Sequence, residues 1–375
     1  MNFVQVAIPS PLRQTFTYVN DSGTDLIGKR VLVEFGRRKL VGVVISTSDI
    51  PDGEYKLKNI LETLDETALF SEEAIKKIIY ISEHYMHPLG IVFESFIPTF
   101  LRKAKHQKDL EKYLQVKEEL IPATNLHKLT NDQTTCLDSI KSKSRGEILL
   151  AGITSSGKTE VYKHFINTLI NKGKSALVLV PEIFLTPQIF HDFQSSFGDK
   201  VFLHHSGLTP IQRIKVWLAA QEKSPKIIIG TRSSVFLPIK NLGAVIFDEE
   251  HDQSYKQQEG FRYEAKEIAR ILYKETARIV YASATPSLTN IKRAEDGEMQ
   301  TCSLTKRIAD APMPNISIHD VSKTQTTSGI SNQLIERIIE NEKAGNQTLI
   351  LLNRRGYAPV SVSYTHLTLP TTWLV

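Results

Sequence analysis

One eight-residue segment restricts the possible folds of this chain more than any other part of the sequence. Residues 152–159 read G-I-T-S-S-G-K-T, follow the apolar run 148–151 and precede residues 160–166, which have a helical pattern. A strand, a G-x-x-x-x-G-K-T loop and a helix in this order form a phosphate-binding P-loop. The alternative, an ordinary glycine turn before a helix, is disfavoured by the Lys-Thr pair. The sequence therefore predicts a site for a nucleoside triphosphate.

Each residue type in the loop suits contact with phosphate. The two glycines let the backbone bend so that amide N–H groups point at phosphate oxygens. Lys158 supplies positive charge to the β- and γ-phosphates, and the Thr159 hydroxyl can ligate Mg²⁺. The predicted contacts to the nucleotide within this loop are Gly152, Thr154, Ser155, Ser156, Gly157, Lys158 and Thr159.

Composition narrows the class of protein. The 375 residues include 46 basic and 41 acidic ones, and this formal charge of +5 permits nucleic-acid binding without requiring it. Cys136 and Cys302 lie far apart, which supports neither a disulfide framework nor a zinc cluster. The first residues lack a signal-peptide pattern, and no apolar run approaches 18 residues. A soluble, cytoplasmic protein is expected.

The first part of the chain has the pattern of a small domain. Short apolar runs broken by Pro, Gly, Asn and Asp make residues 1–62 β-rich, and residues 71–87 have the spacing of an amphipathic helix. We therefore expect a small α+β domain at residues 1–103. Residues 104–128 are rich in Lys, Glu, Gln and His and have the character of a charged helical linker.

From residue 129 onward, predicted strands alternate with helices. This alternation indicates a doubly wound parallel α/β domain at residues 129–312, with its chemistry at the carboxyl ends of the strands. Residues 301–320 have an irregular pattern. A helix at 331–344 and a strand at 348–352 indicate the beginning of another α/β unit at 313–360. The predicted strands of the first unit are 147–151, 176–180, 201–203, 226–230, 244–248 and 279–283.

An acidic motif follows one of these strands. Residues 244–247 have a buried-strand pattern and end in the sequence D-E-E-H at 248–251. A carboxylate at such a strand end can hold Mg²⁺, and a neighbouring glutamate can polarise the attacking water. We assign Asp248 to the metal and Glu249 to the water. An acidic solvated turn is the alternative, and it is disfavoured after a buried strand that follows a P-loop.

Four motifs together carry a family resemblance. They are P-E-I-F-L-T-P-Q at 181–188, G-T-R-S at 230–233, D-E-E-H at 248–251 and S-A-T-P-S at 283–287. Their order is similar to that of the motifs in superfamily 2 helicases. Their sequences resemble those of the PriA (primosomal protein N′) family of bacterial replication-restart helicases. The segments T-F-T-Y at 15–18 and V-E-F-G at 33–36 extend the resemblance, which covers residues 1–360.

The resemblance implies a RecA-like fold, ATP and Mg²⁺ as cofactors, and 3′→5′ DNA helicase activity at stalled or abandoned replication forks. The implied partners are forked and single-stranded DNA, 3′ ends, primosome proteins and single-strand-binding proteins. It places Gln133 on the adenine side of ATP, although Gln133 is also a plausible first-turn residue of a helix capped by Thr130.

The same resemblance assigns roles to residues of the helicase motifs. Thr231 and Arg232 contact the DNA backbone, and Ser283 and Thr285 couple the nucleotide state to the grip on DNA; Thr-Pro is also a plain turn signal. Residues 255–263, here called the aromatic loop, resemble a loop of the family that senses single-stranded DNA. The predicted DNA contacts of this loop are Tyr255, Phe261, Arg262 and Tyr263. Packing of its aromatic rings against the core is the alternative.

The amino-terminal domain resembles the part of the family that captures a 3′ end of DNA. Phe16, Tyr18, Gly36 and Lys58 match that site, and they are called here the 3′-end pocket. The family favours aspartate where this chain has Thr17, which weakens the expected recognition of the terminal hydroxyl. Alternatively, Phe16 and Tyr18 are core residues of one strand face.

Two departures from the family shape the functional expectation. The stretch at 104–128 is too short for the winged-helix domain of the family, and residues 361–375 carry no zinc-binding cysteines and match nothing in it. We therefore expect an aberrant, non-native tail and a chain that is inactive alone, because most of the second helicase lobe and its zinc ligands are missing. Two alternative functions stay open: another superfamily 2 DNA translocase, and a fork-binding scaffold that does not hydrolyse ATP.

Overall fold

The computed structural model describes residues 2–48, 57–113, 126–182, 187–308, 315–320, 322, 326–327 and 330–351. Residues 1–311 form one compact unit and residues 312–375 a second one. The first unit contains a small β-rich domain followed by a RecA-like parallel α/β lobe, which confirms the predicted fold class. The predicted tail at 361–375 and residues 114–125 of the linker lie outside the described residues.

The amino-terminal domain is built on a curled six-stranded sheet. Its central strand β1 pairs antiparallel with β2 on one side and β4 on the other, and β5 joins the outer edge of β2 in parallel. Val4, Val6, Val31 and Val33 are buried at alternate positions, as expected for strands with one face toward a core. The strands are β1 (Asn2–Ala7), β2 (Phe16–Asn20), β3 (Arg30–Phe35), β4 (Arg38–Ser48), β5 (Lys58–Asn59) and β6 (Glu62–Thr63).

The helix predicted at 71–87 is present but ends earlier in the structure, and a second helix, which the sequence did not predict, follows it. Helix α1 (Glu72–His84) starts after Ser71, whose hydroxyl accepts a hydrogen bond from the Ala74 amide, and α2 spans Leu89–Phe96. Met86 adopts a positive φ of 49° and Pro88 precedes α2. The residue before a proline avoids the helical region, so the chain turns between His84 and Leu89.

The α/β lobe contains a seven-stranded sheet in which every strand pair is parallel. Its order is β13-β7-β12-β11-β8-β10-β9. All six predicted strands are present, but the prediction that residues 301–304 are irregular is wrong, because β13 pairs there with the P-loop strand β7. The strands are β7 (Gly146–Gly152), β8 (Ser175–Leu179), β9 (Val201–His204), β10 (Ile227–Gly230), β11 (Leu242–Phe247), β12 (Arg278–Ser283) and β13 (Gln300–Leu304).

Helices cover both faces of this sheet. One face packs against α3 and α4 through residues such as Ile148 and Val178, and the other face, with Leu149 and Leu177, joins a core that continues into α1 and α2. The amino-terminal domain and the lobe therefore share one hydrophobic core. The helices of the lobe are α3 (Asn131–Lys141), α4 (Lys158–Asn171), α5 (Pro187–Phe197), α6 (Pro210–Ala220), α7 (Ala265–Tyr273) and α8 (Leu288–Glu295).

The linker and the second unit differ in part from expectation. The described part of the linker contains a 3₁₀ helix, Gln107–Tyr113. In the second unit, β14 (Thr326–Thr327) pairs with β15 (Ile330–Ser331), and α9 (Asn332–Lys343) confirms the helix predicted at 331–344. Residues 348–351 form no strand, so that prediction is wrong there; Leu349 and Leu351 are more than 90% exposed, and a strand requires a hydrogen-bonded neighbour. Among the described helices, none combines the length and apolar character needed to cross a membrane.

Candidate functional site

The P-loop lies between β7 and α4, at the carboxyl edge of the parallel sheet. Gly157 precedes α4 with a φ of 82°, and a Cβ atom there would lie 2.3 Å from Nε2 of Gln133. Ser155 also has a positive φ, of 64°. The loop thus requires glycine at 157 for both its backbone conformation and the space that Gln133 occupies.

Gln133 holds the P-loop from the side. Its Nε2 donates a hydrogen bond to the carbonyl of Ser156 at 3.0 Å, while its Oε1 accepts one from the Thr130 amide at 2.9 Å. Thr130 in turn caps α3, which completes a capping box. The structure therefore shows Gln133 as a first-turn helix residue that also contacts the loop, and both ends of its amide are occupied by protein atoms.

Lys158 closes the loop in the present conformation. Its Nζ donates a hydrogen bond to the carbonyl of Gly152 at 2.8 Å, and the residue is 8% exposed. Burial lowers the pKa of Lys158, whereas the nearby carboxylates of Glu249 and Asp248 act in the opposite direction. A phosphate entering the loop would take the place of the Gly152 carbonyl as the partner of this ammonium group.

The acidic motif faces the same space as the P-loop. Residues of the P-loop and of the acidic motif line a cavity of about 440 Å³, here called the nucleotide cavity. The residues that line it are Thr154, Ser155, Gly157, Lys158, Thr159, Asp248, Glu249, Arg307 and Ile308. The fold therefore brings the predicted lysine, the predicted metal ligands and the predicted water-orienting glutamate together.

Asp248 is held by hydrogen bonds from both sides. Tyr162 on α4 donates its hydroxyl to Oδ2 at 3.0 Å, and the amide of Glu249 donates to Oδ1 at 3.2 Å. Burial, aided by the charge of Glu249, raises the pKa of Asp248 to about 6. The described residues hold no group of three or more His, Cys, Asp or Glu side chains arranged for a metal. One carboxylate and the Thr159 hydroxyl nevertheless suit Mg²⁺, which takes its other ligands from water and phosphate.

The residues predicted to couple nucleotide state to DNA are connected to the acidic motif. Nδ1 of His251 lies 2.8 Å from Oγ of Ser283 and 3.6 Å from Oε2 of Glu249. Ser283 is fully buried, and its Oγ also accepts a hydrogen bond from the amide of Thr285 at 3.0 Å. A chain of polar contacts thus runs from Glu249 to the S-A-T motif.

Sequence reasoning missed two contributors to this site. Glu250 is fully buried, 3.2 Å from Nζ of Lys266, and accepts hydrogen bonds from the Ser287 amide and Asn290. A run of acidic residues gave no signal of such burial. Arg307 lines the nucleotide cavity, and the amide of Ile308 donates to the carbonyl of Ser155 at 3.1 Å. No motif marked this segment, which the sequence predicted to be irregular.

Arg232 contacts the aromatic loop rather than open solvent. Its Nε donates to Oε1 of Gln257 at 2.7 Å, and its guanidinium also donates to the carbonyl of Ser254 at 2.8 Å. Glu182 lies 3.5 Å away. Thr231 is 3% exposed and caps the 3₁₀ helix Arg232–Phe236. Both residues lie at the carboxyl end of β10, but neither presents a free side chain in this conformation.

The aromatic rings of the aromatic loop, which were predicted to contact DNA, are buried in the structure. Tyr255, Phe261 and Tyr263 are at most 7% exposed, so they do not form a base-stacking surface in this structure. Phe261 stacks on His87 with ring centroids 5.0 Å apart, and the Tyr255 hydroxyl donates to the carbonyl of Leu179. Burying large rings stabilises the junction with the amino-terminal domain, which explains why packing prevails. Only Arg262 of the four predicted DNA contacts is exposed.

The 3′-end pocket is brought together around one turn. Tyr18 pairs in register with Lys58, whose Nζ lies 3.0 Å from Oε2 of Glu34 and 3.4 Å from the Gly36 carbonyl. The rings of Phe16 and Phe35 make an edge-to-face contact, with their centroids 4.7 Å apart. The Lys58 side chain (46% exposed), Gly36 and part of Phe16 are open to a ligand.

Tyr18 of this pocket and the adjacent Thr17 differ from expectation. Tyr18 is 4% exposed and donates its hydroxyl to the Glu34 carbonyl at 2.9 Å, so it is a core residue and not a base-stacking one. Burial raises its pKa to about 12. Thr17 points to the opposite face of the strand, where Oγ1 accepts a hydrogen bond from Gln5 at 2.9 Å.

Both the amino-terminal domain and the α/β lobe match families of known proteins. Residues 5–98 match the PriA 3′DNA-binding domain (3′BD) family, and residues 130–294 match the DEAD/DEAH box helicase family. Replication restart protein PriA of Haemophilus influenzae is 34% identical over 96% of this chain and 60% of its own length. The chain belongs to the PriA family. The PriA resemblance expected from the sequence is thereby confirmed.

Other PriA proteins show the same extent of similarity. Replication restart protein PriA of Rickettsia felis is 36% identical over 89% of this chain, and that of Treponema pallidum is 31% identical over 95%. The chain spans 51% to 60% of the length of these PriA relatives. The Hef helicase domain of Pyrococcus furiosus has a TM-score of 0.36 and 18% identity over 46% of this chain, a similarity that carries no conclusion.

Proposed function

We propose that this protein is an ATP-dependent 3′→5′ DNA helicase that recognises stalled or abandoned replication forks and starts primosome assembly for replication restart. The observation that carries this proposal is the nucleotide cavity, in which the P-loop and the acid pair Asp248–Glu249 face each other beside a domain matching a 3′DNA-binding family. The match to the DEAD/DEAH box helicase family supports the choice of a DNA motor.

Each residue of the cavity has a role in this proposal. Lys158 releases the Gly152 carbonyl and donates to the β- and γ-phosphates, while the loop amides from Thr154 to Gly157 bind phosphate oxygens. Thr159 and Asp248 would hold Mg²⁺, which neutralises charge on the phosphates when bound. Tyr162 orients the Asp248 carboxylate, and Glu249 orients the attacking water.

The contacts beyond the cavity suggest how ATP hydrolysis is coupled to DNA binding. A change at Glu249 would move His251, which is hydrogen-bonded to Ser283 at the end of the neighbouring strand. Arg232 connects the proposed DNA-backbone motif to the aromatic loop. Primosome and single-strand-binding proteins are proposed partners because the relatives are named replication restart proteins. The domain boundaries 1–103 and 129–312 remain part of this proposal.

Nucleotide binding gives the most direct test. Lys158→Ala should weaken binding of a fluorescent ATP analogue in the presence of Mg²⁺ by at least about tenfold, because a charge-assisted contact is lost. Lys172→Ala, a change of an exposed lysine just after the other end of α4, is the matched control and should bind normally. Equal affinity in the two variants would refute the nucleotide site.

DNA action needs a separate measurement. Activity is measured on forks with a free 3′ end and on single strands carrying a blocked end. The comparison distinguishes a 3′→5′ motor from a motor of opposite polarity. The measurement uses a protein that also contains the second helicase lobe, because this chain alone is expected to be inactive. Stimulation of its ATP hydrolysis by single-stranded DNA is the expected result. DNA binding without any hydrolysis would favour the fork-binding scaffold instead.

A further inference from the structure

A small polar cavity lies where the amino-terminal domain meets the α/β lobe. Its volume is about 130 Å³, less than a third of that of the nucleotide cavity, with which it shares no lining residue. The segment after α2 contributes Arg102, and α6 contributes Arg213. Its other polar residues are His204, Ser233, Ser95 and Thr99, and the cavity is called here the Arg102–Arg213 pocket.

Each arginine donates a hydrogen bond to a backbone carbonyl and has further N–H donors. Nε of Arg102 donates a hydrogen bond to the carbonyl of Ile97 at 3.0 Å, and one terminal nitrogen of Arg213 donates to the carbonyl of Ser206. Nε of Arg213 is buried and finds no hydrogen-bond partner within the described part of the chain. Since a guanidinium group carries five N–H donors, the described residues leave most of those on the pair available to a ligand.

The charges of the pair are not neutralised by contact. Within the residues that the structure describes, neither guanidinium lies within 4.0 Å of a carboxylate oxygen. Burial lowers the pKa of Arg102; the charge of Glu94 acts in the opposite direction, and the charge of Arg213 lowers the pKa further. Two partly buried cations beside each other repel, and an anion placed between them would relieve that repulsion.

The rest of the lining suits one tetrahedral anion. Nδ1 of His204 is 2.8 Å from Oγ of Ser234, which fixes the ring. Burial, with the charges of Arg213 and His205, lowers the pKa of His204 to about 4, so its imidazole is neutral at neutral pH. A guanidinium fork matches phosphate geometry, and the Ser233 hydroxyl adds a further donor.

The position of the pocket indicates which phosphate it takes. Ser233 directly follows Thr231 and Arg232, at the strand end where the proposed function places the DNA backbone. Arg102, by contrast, belongs to the amino-terminal domain. We propose that the Arg102–Arg213 pocket binds one phosphodiester group of single-stranded DNA and thereby ties both domains to the same strand. This inference rests on the proposed function.

Salt dependence of binding tests the pocket. A fluorescent single-stranded oligonucleotide is titrated with the full chain at several salt concentrations. Arg102→Gln should reduce the slope of log affinity against log salt by about 0.7, the contribution of one phosphate of single-stranded nucleic acid. Lys172→Gln and Lys223→Gln remove exposed lysines elsewhere on the lobe, and their slopes should equal that of the unsubstituted chain.

A neutral backbone linkage provides the second measurement. Replacing single phosphates of the oligonucleotide by methylphosphonates should reveal one linkage whose change weakens binding to the unsubstituted chain and to Arg213→Lys, but has no effect on Arg102→Gln. Unchanged slopes and an unchanged methylphosphonate profile in Arg102→Gln would overturn the pocket while leaving the proposed function intact. An effect of Arg102→Gln on inorganic phosphate binding alone would show a free-anion site and would also overturn it. Failure of the unsubstituted chain to bind the oligonucleotide would remove both proposals together.

Discussion

The hydroxyl of Tyr162 donates a hydrogen bond to Oδ2 of Asp248 at 3.0 Å, which connects the helix of the P-loop to the strand of the acidic motif. Tyr162 and Asp248 are 86 positions apart in the sequence. Tyr162 itself is buried, so the contact is shielded from water. The protonation of the proposed metal ligand therefore depends on a residue that no motif marks.

We predict that Tyr162→Phe makes nucleotide binding more sensitive to acid. The tyrosine hydrogen bond lowers the pKa of Asp248, so its loss should raise that pKa from about 6 by roughly one unit. Binding of Mg²⁺ and ATP requires the charged carboxylate, and its pH midpoint should shift upward by the same amount. Titration of a fluorescent ATP analogue from below to well above pH 6 measures this midpoint.

Tyr273→Phe is the matched control for this change. Its side chain is partly buried, and its hydroxyl donates a hydrogen bond to the carbonyl of Val235 on the other face of the sheet. Its midpoint should equal that of the unsubstituted chain. The role of Tyr162 is contradicted when both variants show the same midpoint.

Asp248 should also make the stability of the fold depend on pH. Its pKa in the folded state is raised from 3.8 to about 6, so its contribution to stability is complete below about pH 3.8 and is lost as the pH rises through 6. Asp248→Asn resembles the neutral acid at every pH. It should therefore raise the free energy of unfolding at neutral pH by on the order of 2–3 kcal/mol, with no gain below pH 3.8.

Urea unfolding of both proteins on either side of this pH window measures the effect. Asp296→Asn changes an exposed carboxylate and should leave the curve unaltered. A constant difference between Asp248→Asn and the parent at all pH values would show that the carboxylate is not the cause.

How much of this molecule the sequence predicts depends on where the relevant contacts lie. The P-loop and the strand before Asp248 are predictable because each depends on fewer than twenty consecutive residues. Strand β13 was missed because its residues are polar and lie at a sheet edge, where alternate side chains face solvent. Its position is set by pairing with β7, more than a hundred residues earlier.

The same distinction separates the correct site predictions from the corrected ones. Glu250 is buried only because Lys266, Ser287 and Asn290 converge on it from later segments. Tyr255 and Phe261 are aromatic residues of a type that stacks on bases, and only the fold shows that Tyr255 packs against Phe247 and Phe261 against Tyr85 and His87. Cys136 and Cys302 have no sequence spacing that relates them, yet a hydrogen bond between their thiols lowers the pKa of Cys136.

Gly157→Ala should destabilise the fold more than the same change at another left-handed glycine. The new Cβ would lie 2.3 Å from Nε2 of Gln133, in addition to the strain of a φ of 82°. Gly173 has a φ of 71° and nothing within 4 Å of an added Cβ, so Gly173→Ala isolates the backbone cost of about 1–2 kcal/mol. We expect Gly157→Ala to cost about 1–3 kcal/mol more in chemical denaturation. Equal losses would show that Gln133 moves aside freely.

Glu250→Ala should be among the most damaging substitutions in the lobe. Its removal leaves the ammonium group of Lys266 without its buried partner and uncaps the start of α8, at an expected loss of about 3–5 kcal/mol in the free energy of unfolding. Glu298→Ala removes a half-exposed carboxylate that pairs with Arg293 and should cost less than about 1 kcal/mol. Thermal or urea unfolding compares the two, and similar losses would contradict the anchoring role of Glu250.

The ion pair between Lys58 and Glu34 predicts opposite effects of two substitutions on DNA binding. The two groups are 3.0 Å apart and both are half-exposed, so the carboxylate competes with a DNA phosphate for the lysine. Lys58→Ala should reduce the preference for forks with a free 3′ end, whereas Glu34→Gln should strengthen binding to them by about two- to fivefold. Lys76→Ala on α1, also exposed, controls for the loss of one positive charge. If Lys58→Ala and Lys76→Ala lower affinity equally and leave the preference for 3′ ends unchanged, Lys58 acts only through net charge.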